Sequence, residues 1–168
     1  MKDRLLVVAV VVPLLGLLAL IGRAEFNLQD GRPWLLPIRG YDPRDLISGH
    51  YLRFTYDLHP QPSTCGAPPG DFAPADALDA SCCLCLQPPS EWPEIRQLTC
   101  EEAASAGCMS WIRSADVIGE QRYFIPEGRG AELEQAIRER NAAMRVRVTD
   151  DGTLAIEQLY FDGEPWTP

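Results

Sequence analysis

From Leu5 to Ile21 the chain reads LLVVAVVVPLLGLLALI, an apolar run without a charged residue. Arg4 precedes this run and Arg23 follows it closely. At 1.5 Å per residue the run and its flanks span about 27 Å, close to the roughly 30 Å hydrocarbon thickness of a bilayer. A buried core helix would be shorter or would carry a polar stripe, so the run predicts a helix that engages a membrane.

The predicted organisation is a short cytoplasmic tail (1–4), a transmembrane helix (5–22) and an exported domain (25–168). The alternative is a cleaved signal peptide, because Gly22-Arg23-Ala24 offers the small residues of a cleavage site. A cleavable apolar region usually has about 7–15 residues, so the longer run favours a retained anchor. The expected location is therefore the inner cell membrane, with a single pass and the C-terminal domain in the periplasm or outside the cell.

All the cysteines fall within one Pro-rich segment at 60–110: Cys65, Cys82, Cys83, Cys85, Cys100 and Cys108. Their even number, after a secretory-type start, favours a disulfide framework and an oxidising compartment. A zinc site is the rival interpretation, but the second thiol pair is spaced more widely than a zinc ribbon requires. A catalytic dithiol at Cys82-x-x-Cys85 is the other alternative, although no helix start is evident there. Six cysteines allow 15 connectivities, and the sequence leaves the choice open.

Composition excludes several classes of function. The net charge of −9 argues against a nucleic-acid partner, since phosphate binding needs clustered basic residues. Lys2 is the only lysine, and His50 and His59 are the only histidines, so a Walker loop, a lysine Schiff base and an HExxH zinc site are impossible. No cofactor and no metal ion is predicted.

The segment YDPRDLISGHYLRFTYDL predicts a turn that leads into a two-sided strand. Asp42-Pro43 favours a type I turn, Asp45 can cap a single helical turn, and Gly49 can end that turn in the left-handed conformation. From His50 the pattern has period two, with His50, Leu52, Phe54, Tyr56 and Leu58 on one face. We therefore expect one face in a core and one in water, in a register that the turn sets.

The remaining chain predicts an α+β fold. Trp34 to Ile38 favours a short strand after a turn at Asp30-Gly31 and Pro33, and SCCLCLQ also alternates like a strand. RYFIP favours a strand, and an apolar face indicates a helix over about 131–140. The pattern then indicates a hairpin that turns at Asp150-Asp151-Gly152. The expected fold is an N-terminal transmembrane helix followed by one mainly antiparallel β domain with one principal helix.

The stretch GHYLRFTY resembles the signature of the GDYxxLxY family of bacterial membrane-anchored proteins. Gly49, Tyr51 and Tyr56 match, Phe54 stands for leucine, and His50 replaces the family aspartate. The flanking YDPRDLISG and the downstream RYFIPEGRGAELEQA and IEQLYFDGEPW are also similar. The resemblance implies an N-terminal anchor, an extracytoplasmic domain and a polytopic membrane protein as partner, without an assigned reaction.

Three candidate sites follow from the residues. His50 is a candidate base, and Asp42 and Asp45 are a candidate acid–base pair, although a buried histidine and ordinary turn residues explain the same pattern. Tyr51 and Arg53, with Thr55 and Asp57 on the same exposed strand face, are a candidate recognition surface, although an ordinary solvated strand face explains the same pattern. The loop Gly128-Arg129-Gly130 before a helix is a candidate anion site.

The function expected from these observations is a membrane-anchored binding or assembly module for a membrane protein partner, because no complete catalytic set is evident. The alternative is an extracytoplasmic enzyme, either a hydrolase centred on His50 or a thiol oxidoreductase. Loss of an activity on His50→Ala or on cysteine alkylation would favour the enzyme.

Overall fold

The structure of the chain, a computed structural model, describes residues 2–40, 47–48, 51–61, 65, 78–105 and 107–167. Of residues 2–8, 24, 26–30, 47 and 48 it describes the backbone path alone. The predicted turn, cap and candidate base lie outside the described residues and stay predictions: Asp42, Pro43, Asp45, Gly49 and His50. The chain divides into two compact units, Met1–Gly31 and Arg32–Pro168.

The first unit is one helix, α1, which runs from Lys2 to Asp30. It extends beyond the predicted end at residue 22, because Ala24, Glu25 and the residues after them are mostly good helix formers. The predicted turn is confirmed at Gly31, where the chain bends, but Asp30 still belongs to the helix and Pro33 lies inside the following strand. The described apolar side chains of α1 are exposed on all sides, among them Leu18 and Leu20. Taking only the residues that the structure describes in full, no helix is long and apolar enough to cross a membrane.

The second unit is an α+β domain, as predicted, and its described strands form two antiparallel sheets. In its described part the strands are β1 (Arg32–Gly40), β2 (Ile47–Ser48), β3 (Tyr51–Tyr56), β4 (Cys83–Gln87), β5 (Glu94–Leu98), β6 (Ser110–Arg113), β7 (Gln121–Phe124), β8 (Ala142–Val148), β9 (Leu154–Phe161) and β10 (Glu164–Pro165). The helices are α2 (Cys100–Ser105), α3 (Ser114–Val117) and α4 (Gly130–Glu139). α4, the predicted principal helix, is the longest of these three.

The large sheet has the order β10-β9-β8-β1-β3-β2, with β7 paired to β3. The small sheet has the order β5-β4-β6. Backbone hydrogen bonds connect each sheet to a neighbouring loop, from Gln61 N–H to the Ile95 carbonyl of β5 (2.9 Å) and from Leu35 N–H of β1 to the Glu91 carbonyl (2.7 Å). The two sheets therefore belong to one compact unit.

One apolar core lies between the sheets and α4. It contains inward side chains from every layer, including Leu36, Leu52, Phe54, Leu84, Leu86, Ile112 and Leu133. Strand β3 alternates as predicted, with Leu52, Phe54 and Tyr56 buried and the residues between them more exposed. A slip of one residue would place Arg53 in this core, so the buried face determines the register.

The disulfides lie on the opposite face of the small sheet. Strand β4 turns Leu84 and Leu86 into the core, while Cys83 and Cys85 face outward and pack against Ala103 of α2. Cys83 bonds to Cys100 and Cys85 bonds to Cys108, which tie the segment containing α2 to β4. The short helix α2 buries little of its own surface, so the two covalent bonds hold it against the sheet.

Candidate functional site

Strand alternation separates the described signature residues into two groups. Phe54 and Tyr56 point into the core and pack edge to face, with ring centroids 5.4 Å apart. Tyr51 points outward and is 43% exposed. Phe54 and Tyr56 therefore serve the core, and Tyr51 is the described signature side chain that a partner can reach.

Tyr51 contacts an aromatic residue that the sequence analysis did not single out. Tyr51 and Phe124 occupy paired positions of β3 and β7, and their rings meet edge to face at 5.5 Å. Phe124 is 64% exposed. Among the described strands β7 pairs only with β3, so this aromatic pair lies at an edge of the large sheet.

A charged cluster continues the same outer face. Arg53 makes a bidentate contact with Glu120, from Nε to Oε1 (2.9 Å) and from Nη2 to Oε2 (2.7 Å). Arg122 lies opposite Arg53 and donates to the same carboxylate at 3.2 Å. We call Tyr51, Arg53, Glu120, Arg122 and Phe124 the edge surface.

The charges of the edge surface are largely preorganised. Hydrogen bonds from Arg53, aided by Arg122, lower the pKa of Glu120 from its ordinary value despite the opposing effect of burial. Glu120 is therefore a fixed anion that positions two guanidinium groups. Two guanidinium groups share this carboxylate beside two exposed rings.

Tyr56 places a polar hydroxyl group inside the core. Its side chain is 6% exposed, and its hydroxyl has no hydrogen-bond partner among the described residues. Burial raises the pKa of this hydroxyl above its ordinary value, so it stays protonated. A group held neutral in the core is unsuited to act as a base.

The arginine of the predicted anion loop contacts other residues of the chain. Arg129 donates to Glu132 from Nε (2.7 Å) and Nη2 (3.0 Å), and its guanidinium lies 5.6 Å from the Trp166 ring. Gly128 has φ +81°, as a turn before a helix requires. Because the Arg129 charge is already balanced by Glu132, the structure adds no support for anion binding, which stays a prediction.

The cysteines form the predicted disulfide framework: Cys65–Cys82, Cys83–Cys100 and Cys85–Cys108. The adjacent Cys82 and Cys83 have different partners, as expected from the strain of a bond between sequence neighbours. Cys82 and Cys85 are not bonded to each other, so the dithiol interpretation of Cys82-x-x-Cys85 does not describe this fold. The zinc interpretation is wrong, because zinc would need these sulfurs as thiolates.

Tyr51 and Arg53 were predicted from the sequence to be exposed, whereas Phe124, Glu120 and Arg122 were not predicted to belong to a site. The only signal was the alternation of RYF in a predicted strand, which placed Phe124 and Arg122 on one face. Nothing in the local pattern indicated that this strand pairs with β3.

A protein-family model described as the GDYXXLXY protein matches residues 13–159. The match covers α1 from Pro13 onward and nearly all of the Arg32–Pro168 unit, including the edge surface. No curated protein and no solved structure matches the chain.

Proposed function

The chain belongs to the GDYXXLXY family, and on this basis we propose that it is a membrane-anchored extracytoplasmic protein that binds a polytopic membrane protein through its edge surface. The observation that carries the binding role is the exposed Tyr51–Phe124 pair beside the Arg53–Glu120 cluster. The anchoring role rests on the apolar run from Leu5 to Ile21.

The membrane part of the proposal follows from solvation. Exposed leucine and valine side chains around a helix are unfavourable in water and are stable in hydrocarbon. The disulfides favour an oxidising compartment for the Arg32–Pro168 unit, because cytoplasmic thiols are kept reduced. Together these arguments support a single membrane pass with residues 1–4 in the cytoplasm and the disulfide-bonded domain in the periplasm.

The binding part follows from the composition and rigidity of the edge surface. Tyrosine, phenylalanine and arginine are enriched at the centres of protein interfaces. The strand pairing and the bidentate Arg53–Glu120 contact fix these side chains before a partner arrives, which lowers the entropy lost on binding. An edge strand also offers backbone groups for pairing with an added strand.

The enzyme alternative gains no supporting observation. The described cysteines are all bonded in pairs, and Cys82, Cys83 and Cys85 are buried. His50 lies outside the described residues. No catalytic residue is proposed.

The experiment is capture from native membranes by the tagged full-length chain, with identification of proteins recovered in stoichiometric amounts. We expect a polytopic membrane protein that is recovered with the parent chain and lost with Phe124→Ser. The matched control is Met109→Ser, which alters another exposed apolar side chain (41%), outside the edge surface. Both variants should melt within a few degrees of the parent, because neither side chain is in the core.

Two results would contradict the proposal. Absence of any stoichiometric membrane protein would remove the binding role. Equal recovery with Phe124→Ser and the parent would leave a partner but remove the edge surface as its docking site.

A further inference from the structure

A groove lies beside Pro37 of β1, and none of its wall residues belongs to the edge surface. It consists of two adjoining cavities of about 620 Å³ and about 350 Å³. The two cavities share Pro37, Asp57 and Trp92 in their walls, so they adjoin at these residues. We call this space the Trp92 groove.

The fold holds the walls of the Trp92 groove in place. Pro37 and Asp57 lie on neighbouring strand positions, joined by a hydrogen bond from Asp57 N–H to the Pro37 carbonyl (2.8 Å). The loop that carries Trp92 is fixed to β1 by the bond from Leu35 N–H to Glu91, and Ser90 makes two bonds of 3.2 Å with the Trp92 backbone. Trp92 is nevertheless 41% exposed. A rigid loop thus presents a large aromatic side chain to solvent over an existing cavity.

Carboxylates outnumber cations in the groove walls. Asp57, Glu94 and Asp162 line the two cavities, and Arg140 is the wall residue with a permanent positive charge. Arg140 is already bound to Asp162, with Nε and Oδ2 2.7 Å apart. The wall charges therefore sum to a negative value that an incoming cation would offset.

Asp57 is the carboxylate best placed for such a cation. Its nearest basic side-chain atoms among the described residues are Arg39 Nη1 at 3.6 Å and His59 Nε2 at 3.7 Å. Both distances are longer than a hydrogen bond, and Arg39 is 70% exposed. The Asp57 oxygens thus have capacity for a closer donor in the groove that they share with Trp92.

We propose that the Trp92 groove binds a basic polypeptide segment, with an arginine or lysine side chain held between the Trp92 ring and the Asp57 carboxylate. Tryptophan is the strongest cation–π acceptor among the side chains, and a carboxylate within reach adds a charge-assisted hydrogen bond. Both cavities are open to solvent, so a polypeptide segment can enter them. This proposal rests on the groove alone and holds whether or not the edge surface binds a membrane protein.

The test measures binding of a blocked, fluorescent penta-arginine peptide to the full-length chain in a mild nonionic detergent. The neutral comparison is the same peptide built from citrulline, which has nearly the shape of arginine without its charge. We expect the arginine peptide to bind more tightly than the citrulline peptide. Trp92→Ala and Asp57→Asn should each weaken binding about 5- to 10-fold, the range for a partly desolvated cation–π contact or charge-assisted bond.

The matched control is Glu101→Gln, which removes the same charge from an exposed residue of α2, outside the groove walls. Glu101→Gln and Phe124→Ser should both leave the affinity unchanged. Equal weakening by Glu101→Gln and Asp57→Asn would overturn the proposal, because binding would then follow net charge alone. Equal affinity for the two peptides, or tighter binding of a neutral oligosaccharide such as chitohexaose, would also overturn it.

Discussion

Tyr56 shows how a signature residue can serve the core through its ring while its hydroxyl works against stability. The ring packs against Phe54, whereas the buried hydroxyl lacks a partner among the described residues. Burying an unsatisfied polar group costs about 1–3 kcal/mol. The ring should therefore account for the stabilising effect of this side chain.

We expect Tyr56→Phe to raise the free energy of unfolding by about 1 kcal/mol, because it removes the unpaired hydroxyl and keeps the ring. The control is Tyr123→Phe, since the Tyr123 ring is only partly buried and its hydroxyl is not among the buried groups without a partner. That variant should gain no stability. Urea unfolding of the full-length chain with its disulfides intact measures both, and a clear loss with Tyr56→Phe would contradict this account.

The pH dependence of the free energy of unfolding, compared between the parent chain and Tyr56→Phe, gives a second test. The folded-state pKa of Tyr56 is raised by burial, while a tyrosine in the unfolded chain titrates near 10. The unfolded chain therefore loses this proton first, and stability falls as the pH rises above about 10. The stability advantage of Tyr56→Phe should be larger at pH 10.5 than at pH 8. An advantage that is constant across this range would show that Tyr56 does not titrate differently in the two states.

At the scale of elements, the turn between β8 and β9 packs against the small sheet. Gly152 in this turn has φ +82°, and a Cβ built there would lie 2.7 Å from the Trp111 ring of β6. Asp151 fixes the turn through Thr149 and the Thr153 N–H. The hairpin therefore needs glycine for two reasons, its backbone conformation and the nearby ring.

We expect Gly152→Ala to lower the free energy of unfolding by about 3 kcal/mol, from left-handed strain plus overpacking. The matched control is Gly128→Ala, where φ is +81° and nothing lies within 4 Å, so strain alone should cost about 1 kcal/mol. Adding Trp111→Leu should recover part of the loss at position 152. Equal losses for the two glycine variants would show that the Trp111 contact is unimportant.

The disulfides act at the same scale, because each joins a loop or helix to β4 or to the residue before it. Replacing Cys83 and Cys100 by alanine should lower the free energy of unfolding by about 3 kcal/mol, which is the chain-entropy contribution of a disulfide that closes a loop of this size. Replacing Cys85 and Cys108 should lower the free energy of unfolding by nearly the same amount. The sequence separations are 17 residues for Cys83–Cys100 and 23 for Cys85–Cys108. Thermal unfolding without reductant measures both, and an unchanged melting temperature in either double variant would contradict the predicted contribution.

At the scale of the whole molecule, the proposed anchor makes a prediction about fractionation. The chain should stay with membranes through carbonate washing, because the Leu5–Ile21 run is long enough to span the hydrocarbon. Leu14→Arg with Leu18→Arg should release it, since a central arginine costs roughly 2.5–3.5 kcal/mol on insertion. A mature chain that begins at Glu25 would instead establish the signal-peptide alternative.

The sequence by itself determined those features that depend on neighbouring residues. The period-two pattern of β3 was enough to predict which side chains are buried, because successive side chains of a strand point to opposite faces. The DDG turn and the apolar face of α4 were predicted for the same local reason. The even number of cysteines predicted a disulfide framework, and the apolar run predicted a helix whose relation to a membrane is still a prediction.

Only the tertiary structure decided which distant segments meet. Six cysteines allow 15 connectivities, and the fold selects one because β4 places Cys83 and Cys85 outward toward the segment of α2. Phe124 meets Tyr51 because β7 pairs with β3, and Trp92 lines the same cavities as Pro37 and Asp57 because its loop bonds to β1. Strand pairing and loop closure depend on the free energy of the whole core, which a local pattern does not contain. Both surfaces to which we assign binding are therefore products of long-range packing.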